Sequence, residues 1–346
     1  MIRFHKTVRE AKLLPPPDFK PEIQAIEYRD DPLTGARTVI NIRRVERPRQ
    51  AERDEDSGDF IRDTREGCFF CPENREKSTP MMIQELSREG RILVNGSFLF
   101  PNRFPFAEFN AVATLSEEHF LDLEQFSHEC LVDNLRACKE YVRTVYAGNN
   151  DARYPVWIWN YLPPSAGSMI HPHTQILVSR EPTPYQKALF HESERYYKEN
   201  GRPFCDELID IERDGERWIG ENDTLALMAT FAPRGNREVQ FVFKDICGLM
   251  EMDEKQTTDF IRALVTILKY YKKDGVNSFN LSTFSANIGS SPDHYRLIVK
   301  MMSRPRFKAY YTAFGGPLEM WHNESVVDTL PEEVAREARQ SFRNAV

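Results

Sequence analysis

The order helix, strand, loop, histidine, strand occurs twice in this chain, and that repeat constrains the fold more than any single motif. In the first half Phe120, Leu123, Cys130, Leu131, Leu135, Cys138 and Val142 recur at spacings that line one face of a helix, with Ser116 as its expected N-cap. Strands are expected at 156–159 and 175–178, with Pro163, Pro164 and Gly167 interrupting the chain between them. In the second half strands are expected at 225–231 and 239–243, and a long helix at 257–271 with Phe260, Leu264, Ile267 and Leu268 along one face. Further strands follow around 280–284 and 297–301. The sharpest local match sets His171-Pro-His-Thr-Gln-Ile-Leu-Val178 against Pro292-Asp-His-Tyr-Arg-Leu-Ile-Val299, which places His173 opposite His294. Each unit carries an apolar helical stripe and strands to bury it against. The expected fold is therefore α+β and duplicated: two antiparallel sheets, each with a long packed helix, in halves spanning 1–190 and 191–346.

The N-terminal 25 residues, ending in LPPPDFKPE, are expected to be extended, because each proline restricts its own backbone and the residue before it. Asp31-Pro-Leu-Thr-Gly35 supplies the turn of a hairpin, followed by a short strand at 38–42 with Thr38, Ile40 and Ile42 on one side. Residues 43–67, crowded with Arg, Asp and Glu, read as an exposed loop.

Bulk properties bound the function. A formal net charge of -7 argues against a nucleic-acid groove as the main feature. No apolar run approaches the roughly 18 residues of a membrane helix. The N-terminus MIRFHKTVREAKLLPPPDF lacks an apolar core and a small-residue cleavage site, so a cytoplasmic location is expected. Six cysteines in 346 residues do not make a disulfide scaffold.

One cysteine pair is spaced for a metal. Cys68-Phe-Phe-Cys71 can chelate one tetrahedral ion from a tight turn, and zinc is the usual occupant of such a site. Two buried free cysteines or a redox pair are the other readings of the same spacing. Two further ligands would have to come from elsewhere. His119, expected in the first turn of the long helix, and His171, in the loop before a strand, stand where a sheet-and-helix fold could bring them together.

His171-Pro-His173-Thr-Gln175 is the most informative segment. In an extended run alternate side chains point the same way, so both histidines and Gln175 line one surface. Imidazole attacks phosphorus well near neutral pH and leaves once protonated, which suits a two-step transfer. Such a step needs one ring nitrogen free and the other donating to a backbone carbonyl. Gln175 can donate an amide hydrogen to a phosphate oxygen. The small-residue loop with Gly167 and Ser168 leaves room for a phosphate beside backbone N–H groups. The plainer reading makes both histidines a structural metal pair or part of a core.

With these residues on the page, the chain resembles the galactose-1-phosphate uridylyltransferase family, a branch of the histidine-triad superfamily, over most of residues 25–325. The family motif His-Pro-His-x-Gln after a small-residue loop is matched by Ser165-Ala-Gly-Ser-Met-Ile-His-Pro-His-Thr-Gln175. The resemblance implies a zinc site of Cys68, Cys71, His119 (in Leu-Ser-Glu-Glu-His) and His171, with His173 as the nucleophile that becomes a nucleotidyl-histidine beside Gln175. It implies further that Asn160 in Trp-Ile-Trp-Asn, Asn102 in Phe100-Pro-Asn-Arg-Phe104, and Arg44 and Arg47 in Arg-Val-Glu-Arg-Pro contact the substrate. The implied activity is ping-pong transfer of a nucleoside monophosphate, UMP first, from a nucleotide sugar to a sugar phosphate or inorganic phosphate, in a cytoplasmic homodimer. An ADP-sugar phosphorylase or adenylyltransferase, and a non-catalytic zinc-stabilised nucleotide-binding module, are the alternatives.

The chain also departs from the family. Galactose-specific members carry Phe-Met-Val-Gly-(Tyr/Phe)-Glu near the C-terminus. Here the stretch is Tyr310-Tyr-Thr-Ala-Phe-Gly-Gly-Pro-Leu-Glu319, with Gly315 or Gly316 where that acid would stand. Glu319, His322 and Glu324 are the candidates to replace it, and 310–324 is the expected acceptor lining. Pro292 faces His171 in the repeat, so only His173 is expected to react.

Overall fold

The structure, a computed structural model, describes residues 1–48 and 58–343. Strands β1 (His5–Leu13), β2 (Glu22–Asp30) and β3 (Arg37–Ile40) open the chain. Helices α1 (Gly58–Asp63) and α2 (Pro72–Ser78) follow, then β4 (Ile92–Val94), β5 (Ser97–Pro101), β6 (Phe109–Thr114), α3 (His128–Gly148), β7 (Tyr154–Tyr161) and β8 (His173–Ser179). Helices α4 (Pro184–Asn200) and α5 (Phe204–Arg213) lead into the second half. It comprises β9 (Trp218–Glu221), β10 (Leu225–Ala229), β11 (Val239–Phe243), α6 (Glu254–Lys273), β12 (Phe279–Phe284) and β13 (Ile298–Ser303). The chain closes with α7 (Pro317–Trp321), β14 (Ser325–Val327) and α8 (Pro331–Arg343).

The duplication is visible in the strand order β4-β5-β6-β8-β7-β12-β13-β11-β10-β9, antiparallel throughout. Reading outward from the β7–β12 pair, each half runs through the same five positions and contributes one long helix. The two half-sheets are joined edge to edge into one ten-stranded sheet, because β7 and β12 each pair with the other instead of ending as an open edge. A second, four-stranded sheet has the order β1-β2-β3-β14. Its hairpin turn is the expected one: Asp31 Oδ1 accepts from the Leu33 and Thr34 amides.

Alternation along the strands sorts the two faces. On one face Trp157, Trp159, Phe241 and Phe279 are buried beneath α3 and α6, Phe260 of α6 packing on Trp157 and Phe241, with Trp159 edge-on to Phe279 at 4.8 Å. On the other, α4 and α5 cover only the second half, packing Leu189, Phe204, Leu208 and Ile209 on Met228, Val242 and Ile298. The corresponding surface of the first half carries His173, Gln175, Asn110 and Asn160.

Several expectations are corrected. The long helix begins at His128, capped by Ser127, whose side chain accepts from the Cys130 amide. Ser116 instead accepts from Glu118 in an irregular segment, and His119 lies in that segment, not on a helix. Phe120, in the irregular segment, and Leu123, in a 3-10 turn over Leu123–Gln125, pack on the core ahead of α3, so the spacing continued where the α-helix did not. The 38–42 strand stops at Ile40. Ile42 opens a 3-10 turn over Ile42–Glu46, capped by Asn41, and its side chain is exposed. Of the expected 43–67 loop, α1 occupies part and residues 49–57 lie outside the described residues. Strand β10 ends at Ala229, short of Phe231. Among the described residues no helix is long and apolar enough to cross a membrane.

Arg29 ties the small sheet to the C-terminal helix. Its guanidinium, 1% exposed, donates to Glu27 Oε2 at 2.7 Å and to both Glu332 oxygens at 2.8 and 3.0 Å. Burial pushes the Glu332 carboxyl up, but Arg29 and Arg217 outweigh it and leave it below its ordinary value. A carboxyl depressed in the folded state contributes stability above its unfolded pKa and loses it as pH falls through the folded one. Arg29→Ala should therefore lower unfolding free energy by about 3 kcal/mol at neutral pH, by stranding charge at the seam. Urea titrations at neutral pH and below the carboxylate range should show the difference shrinking on acidification.

Candidate active site

Four residues from three separate stretches of the chain converge beneath the start of β8. Cys68 follows α1 in a turn, Cys71 is the N-cap of α2, His119 comes from the segment after β6, and His171 from the loop before β8. One ligand atom from each lies within 4.8 Å of all the others, and all four residues are buried. Cys71 Sγ is 3.4 Å from His119 Nδ1 and 3.6 Å from His171 Nδ1, and Cys68 Sγ is 4.0 Å from His171 Nδ1. Tetrahedral zinc bonds of ordinary length imply donor separations of about 3.3–3.8 Å, so the cluster is close to the shape of an occupied site.

The remaining ring nitrogens fix the tautomers. His171 Nε2 donates to the Ser116 carbonyl at 3.0 Å. Thr64 Oγ1 gives its own hydrogen to the Ile61 carbonyl, so it accepts from His119 Nε2 at 3.1 Å. Both rings thereby turn an unprotonated Nδ1 inward, as metal-binding histidines require. Burial holds His171 down at about 4, and burial followed by Arg65 lowers His119. Burial, then the neighbouring Cys68, pushes the Cys71 thiol up to about 12. Two buried thiolates are costly without a cation among them, and this donor set suits zinc.

The carbonyl of His171 accepts from His173 Nδ1 at 2.8 Å. That bond leaves Nε2 of His173 as the free, unprotonated nitrogen. Burial keeps the ring neutral against the opposing pull of the hydrogen bond. Phe70, between the two cysteines, stands edge-on to the His173 ring at 5.3 Å and packs on Phe100 at 5.2 Å. Gln175, one alternation along β8, accepts at Oε1 from Asn102 Nδ2 at 3.1 Å and Asn110 Nδ2 at 3.4 Å. Its oxygen is thus occupied and its NH2 is the end left to donate outward.

The loop between β7 and β8 is drawn close to the sheet. A Cβ on Gly167 would sit 2.8 Å from the Asn160 carbonyl oxygen, so only glycine fits there. Leu162 and Ala166 both have positive φ (67° and 68°), a conformation non-glycine residues seldom adopt. Ser168 is exposed at the loop surface. Asn160 accepts from Asn280 Nδ2 at 2.7 Å, across the seam between the halves.

The remaining expected site residues come from other segments. Arg44 is exposed in the 3-10 turn after β3. Arg47, at the end of that turn, is 3.9 Å from Asp328 and lies over the Phe314 ring. Glu319 caps its own helix, accepting from Gly316 N at 2.8 Å and Val326 N at 3.3 Å. His294 lies before β13, beside Tyr197 of α4. Sequence reasoning missed Phe70, Thr64 and Asn110. A lone polar residue in the apolar run Phe-Asn-Ala-Val-Ala was the available sign for Asn110.

Comparison with solved structures decides the fold family. An ADP-glucose phosphorylase from Arabidopsis thaliana with bound ADP-glucose superposes with a TM-score of 0.71 at 17% identity, over 91% of this chain and 99% of that one. A uridylyltransferase gives 0.67 at 20% identity, over 92% and 99%. This chain has the fold of the galactose-1-phosphate uridylyltransferases. A GalT-like protein from Arabidopsis thaliana matches that fold too, with a TM-score of 0.69 at 16% identity over 90% and 98%. No protein-family model matches the sequence. An uncharacterized protein of Archaeoglobus fulgidus is 33% identical over 354 residues, covering 98% of both chains, and the two belong to one family.

For this uridylyltransferase fold, Cys68→Ser should release the metal and lower the thermal midpoint by on the order of 10 °C. Elemental analysis of the wild type should give one zinc per chain, with the variant well below it.

Proposed function

We propose that the protein is a nucleotidyltransferase in which His173 carries a nucleoside monophosphate between a nucleotide sugar and a phosphate acceptor. The supporting observation is the 2.8 Å bond from His173 Nδ1 to the His171 carbonyl, which leaves Nε2 of a neutral imidazole as the one nitrogen able to attack. In the first step the Nε2 lone pair forms a bond to the α-phosphorus. The bond from that phosphorus to the bridging oxygen breaks, and the sugar phosphate leaves with the electron pair. Nδ1–H stays hydrogen-bonded to the His171 carbonyl, whose oxygen offsets the positive charge the ring acquires. In the second step an oxygen of phosphate or of a sugar phosphate attacks the same phosphorus, the P–N bond breaks, and the ring returns neutral.

The side chains around His173 fit these steps. The outward NH2 of Gln175 donates to a non-bridging oxygen, where charge shifts during both displacements. Asn102, assigned to the substrate from the resemblance, acts at least partly through Gln175, since its amide holds that side chain. Asn160 is turned by Asn280 so that its own NH2 is the free end, suited to a phosphate oxygen of the leaving group. Gly167 and Ser168 shape the loop beside it. Cys68, Cys71, His119 and His171 would hold zinc, which would supply cohesion and take no part in substrate activation, since four protein ligands would fill its coordination. Arg44 and Arg47 keep the role of phosphate contacts that the resemblance assigns them.

Both uracil and adenine donors belong in the test. Intact mass after incubation with UDP-glucose, and separately with ADP-glucose, should show an increment of UMP or AMP. His173→Asn should abolish the adduct and lower turnover by several orders of magnitude. His294→Asn should leave adduct formation intact. An adduct with neither donor, or one mapped to His294, would sink the proposal.

A further inference from the structure

Strand β8 alternates across the sheet, so His173 and Gln175 face the site while Thr174 between them faces α3. Further along the same side of β8, Ile176 and Val178 are buried in an apolar core. Thr174 Oγ1 donates to Asn134 Oδ1 at 2.7 Å, and Asn134 Nδ2 donates to the carbonyls of Ala113 at 3.1 Å and Thr114 at 3.2 Å. Asn134 and Thr174 are both 0% exposed. Cys138, one turn further along α3, sets its Sγ 3.8 Å from the same Thr174 hydroxyl. Asparagine is a poor residue for a helix interior, and a buried amide is costly unless its hydrogen bonds are made. Here both ends of the amide are used.

Asn134 ties the end of β6 to the start of β8. Thr114 pairs with His173, the Leu115 amide donates to the Pro172 carbonyl at 3.0 Å, and the Ser116 carbonyl accepts from His171 Nε2 at 3.0 Å. Three consecutive residues of one segment thus hold three consecutive residues of the other, and Asn134 fastens both segments at the foot of that ladder. The His173 ring is bonded to the His171 carbonyl, so the direction of its Nε2 follows the backbone of 171–174.

The second half shows the same helix without this amide. Aligned by their N-caps, Ser127 and Asp253, α3 and α6 match Leu135 with Ile261 and Val142 with Leu268, all buried. The same alignment sets Phe260 opposite Asn134 and Leu264 opposite Cys138. Phe260 packs on Trp157 and Phe241. Seating a helix on this sheet therefore asks for no amide, and the half that carries His173 has one.

We infer that Asn134, acting through Thr174 and the Ala113 and Thr114 carbonyls, is a positioning residue that sets the line of His173 Nε2 toward phosphorus. The inference deepens the transfer proposed above and rests on it for that consequence. Neither Asn134 nor Thr174 faces the substrate side of the sheet, so both act on the geometry of attack and leave donor binding alone. Misplacing a reacting group by about 1 Å costs on the order of 100-fold in rate.

Thr174→Val keeps the shape of the side chain and removes its hydroxyl, whereas Thr174→Ser keeps the hydroxyl. With UDP-glucose and ADP-glucose as donors, Thr174→Val should slow adduct formation at saturating donor about tenfold or more, move KM less than about twofold and retain the metal. Thr174→Ser should recover most of the rate. Asn134→Leu combined with Thr174→Val removes both partners together and should lose no more than about twofold beyond Thr174→Val alone. Thr283→Val strips another buried hydroxyl of the same sheet, one that accepts from the Trp157 amide at 2.9 Å, and should leave the rate within about twofold. A Thr174→Val enzyme as fast as the wild type, a loss confined to KM, no recovery in Thr174→Ser, or an equal loss in Thr283→Val would each overturn the assignment. Heteronuclear NMR of the His173 ring reads the same geometry without turnover. The wild type should show the Nδ1–H tautomer, and that proton should exchange with water about tenfold or more faster in Thr174→Val. An unchanged ring signal would overturn the positioning role. A wild type that forms no adduct with either donor, while its ring responds as expected, would overturn the transfer chemistry alone.

Discussion

The β7–β12 pairing is the contact on which the architecture depends. Each half alone is a five-stranded sheet with a helix on one face and an unpaired strand along one side. Joining those sides satisfies both strands and makes one twisted surface of ten. It also lets α3 and α6 share a continuous core of aromatic side chains, Trp157 against Phe260 and Trp159 against Phe279. Because the strands pair in register, side chains of the two halves come to stand in common rows. The row that carries Gln175 runs on through Ile158 to Ser282 for that reason.

His171 is where structure and chemistry meet. One ring nitrogen faces the cysteines, the other donates to the Ser116 carbonyl, and its own backbone carbonyl holds His173. A residue held at both ring nitrogens positions the next ring well through its carbonyl, and near-attack geometry contributes much of what a nucleophile gains from its protein. The second half lacks this arrangement. Pro292 stands at the matching position, and His294 turns toward α4. Helices α4 and α5 then pack apolar side chains on part of the corresponding face.

Much of the fold was legible because burial leaves periodic marks. Trp157, Trp159 and Tyr161 alternate with half-buried Ile158 and Asn160 on a strand two-sided in burial. Thr257 to Tyr271 shows the helical period of one buried face. Misreadings arose where the period outlived the structure. Phe120 and Leu123 keep helical spacing yet sit in a segment that the Asp122 and Ser127 caps separate from α3. Spacing records which side chains are buried and says less about the backbone between them.

The sequence by itself determined the repeat, the alternation that sends His173 and Gln175 to one side, and the four metal-type side chains. These are local properties, since a two-residue strand period or a Cys-x2-Cys turn needs no distant partner. Tertiary structure alone decided that His119 meets Cys71 although 48 residues separate them. It alone decided that Asn102 and Asn110 turn the Gln175 amide and that the halves share one sheet. Each depends on strand pairing between segments far apart in the chain, and one-residue shifts in register would send the same side chains to the opposite face.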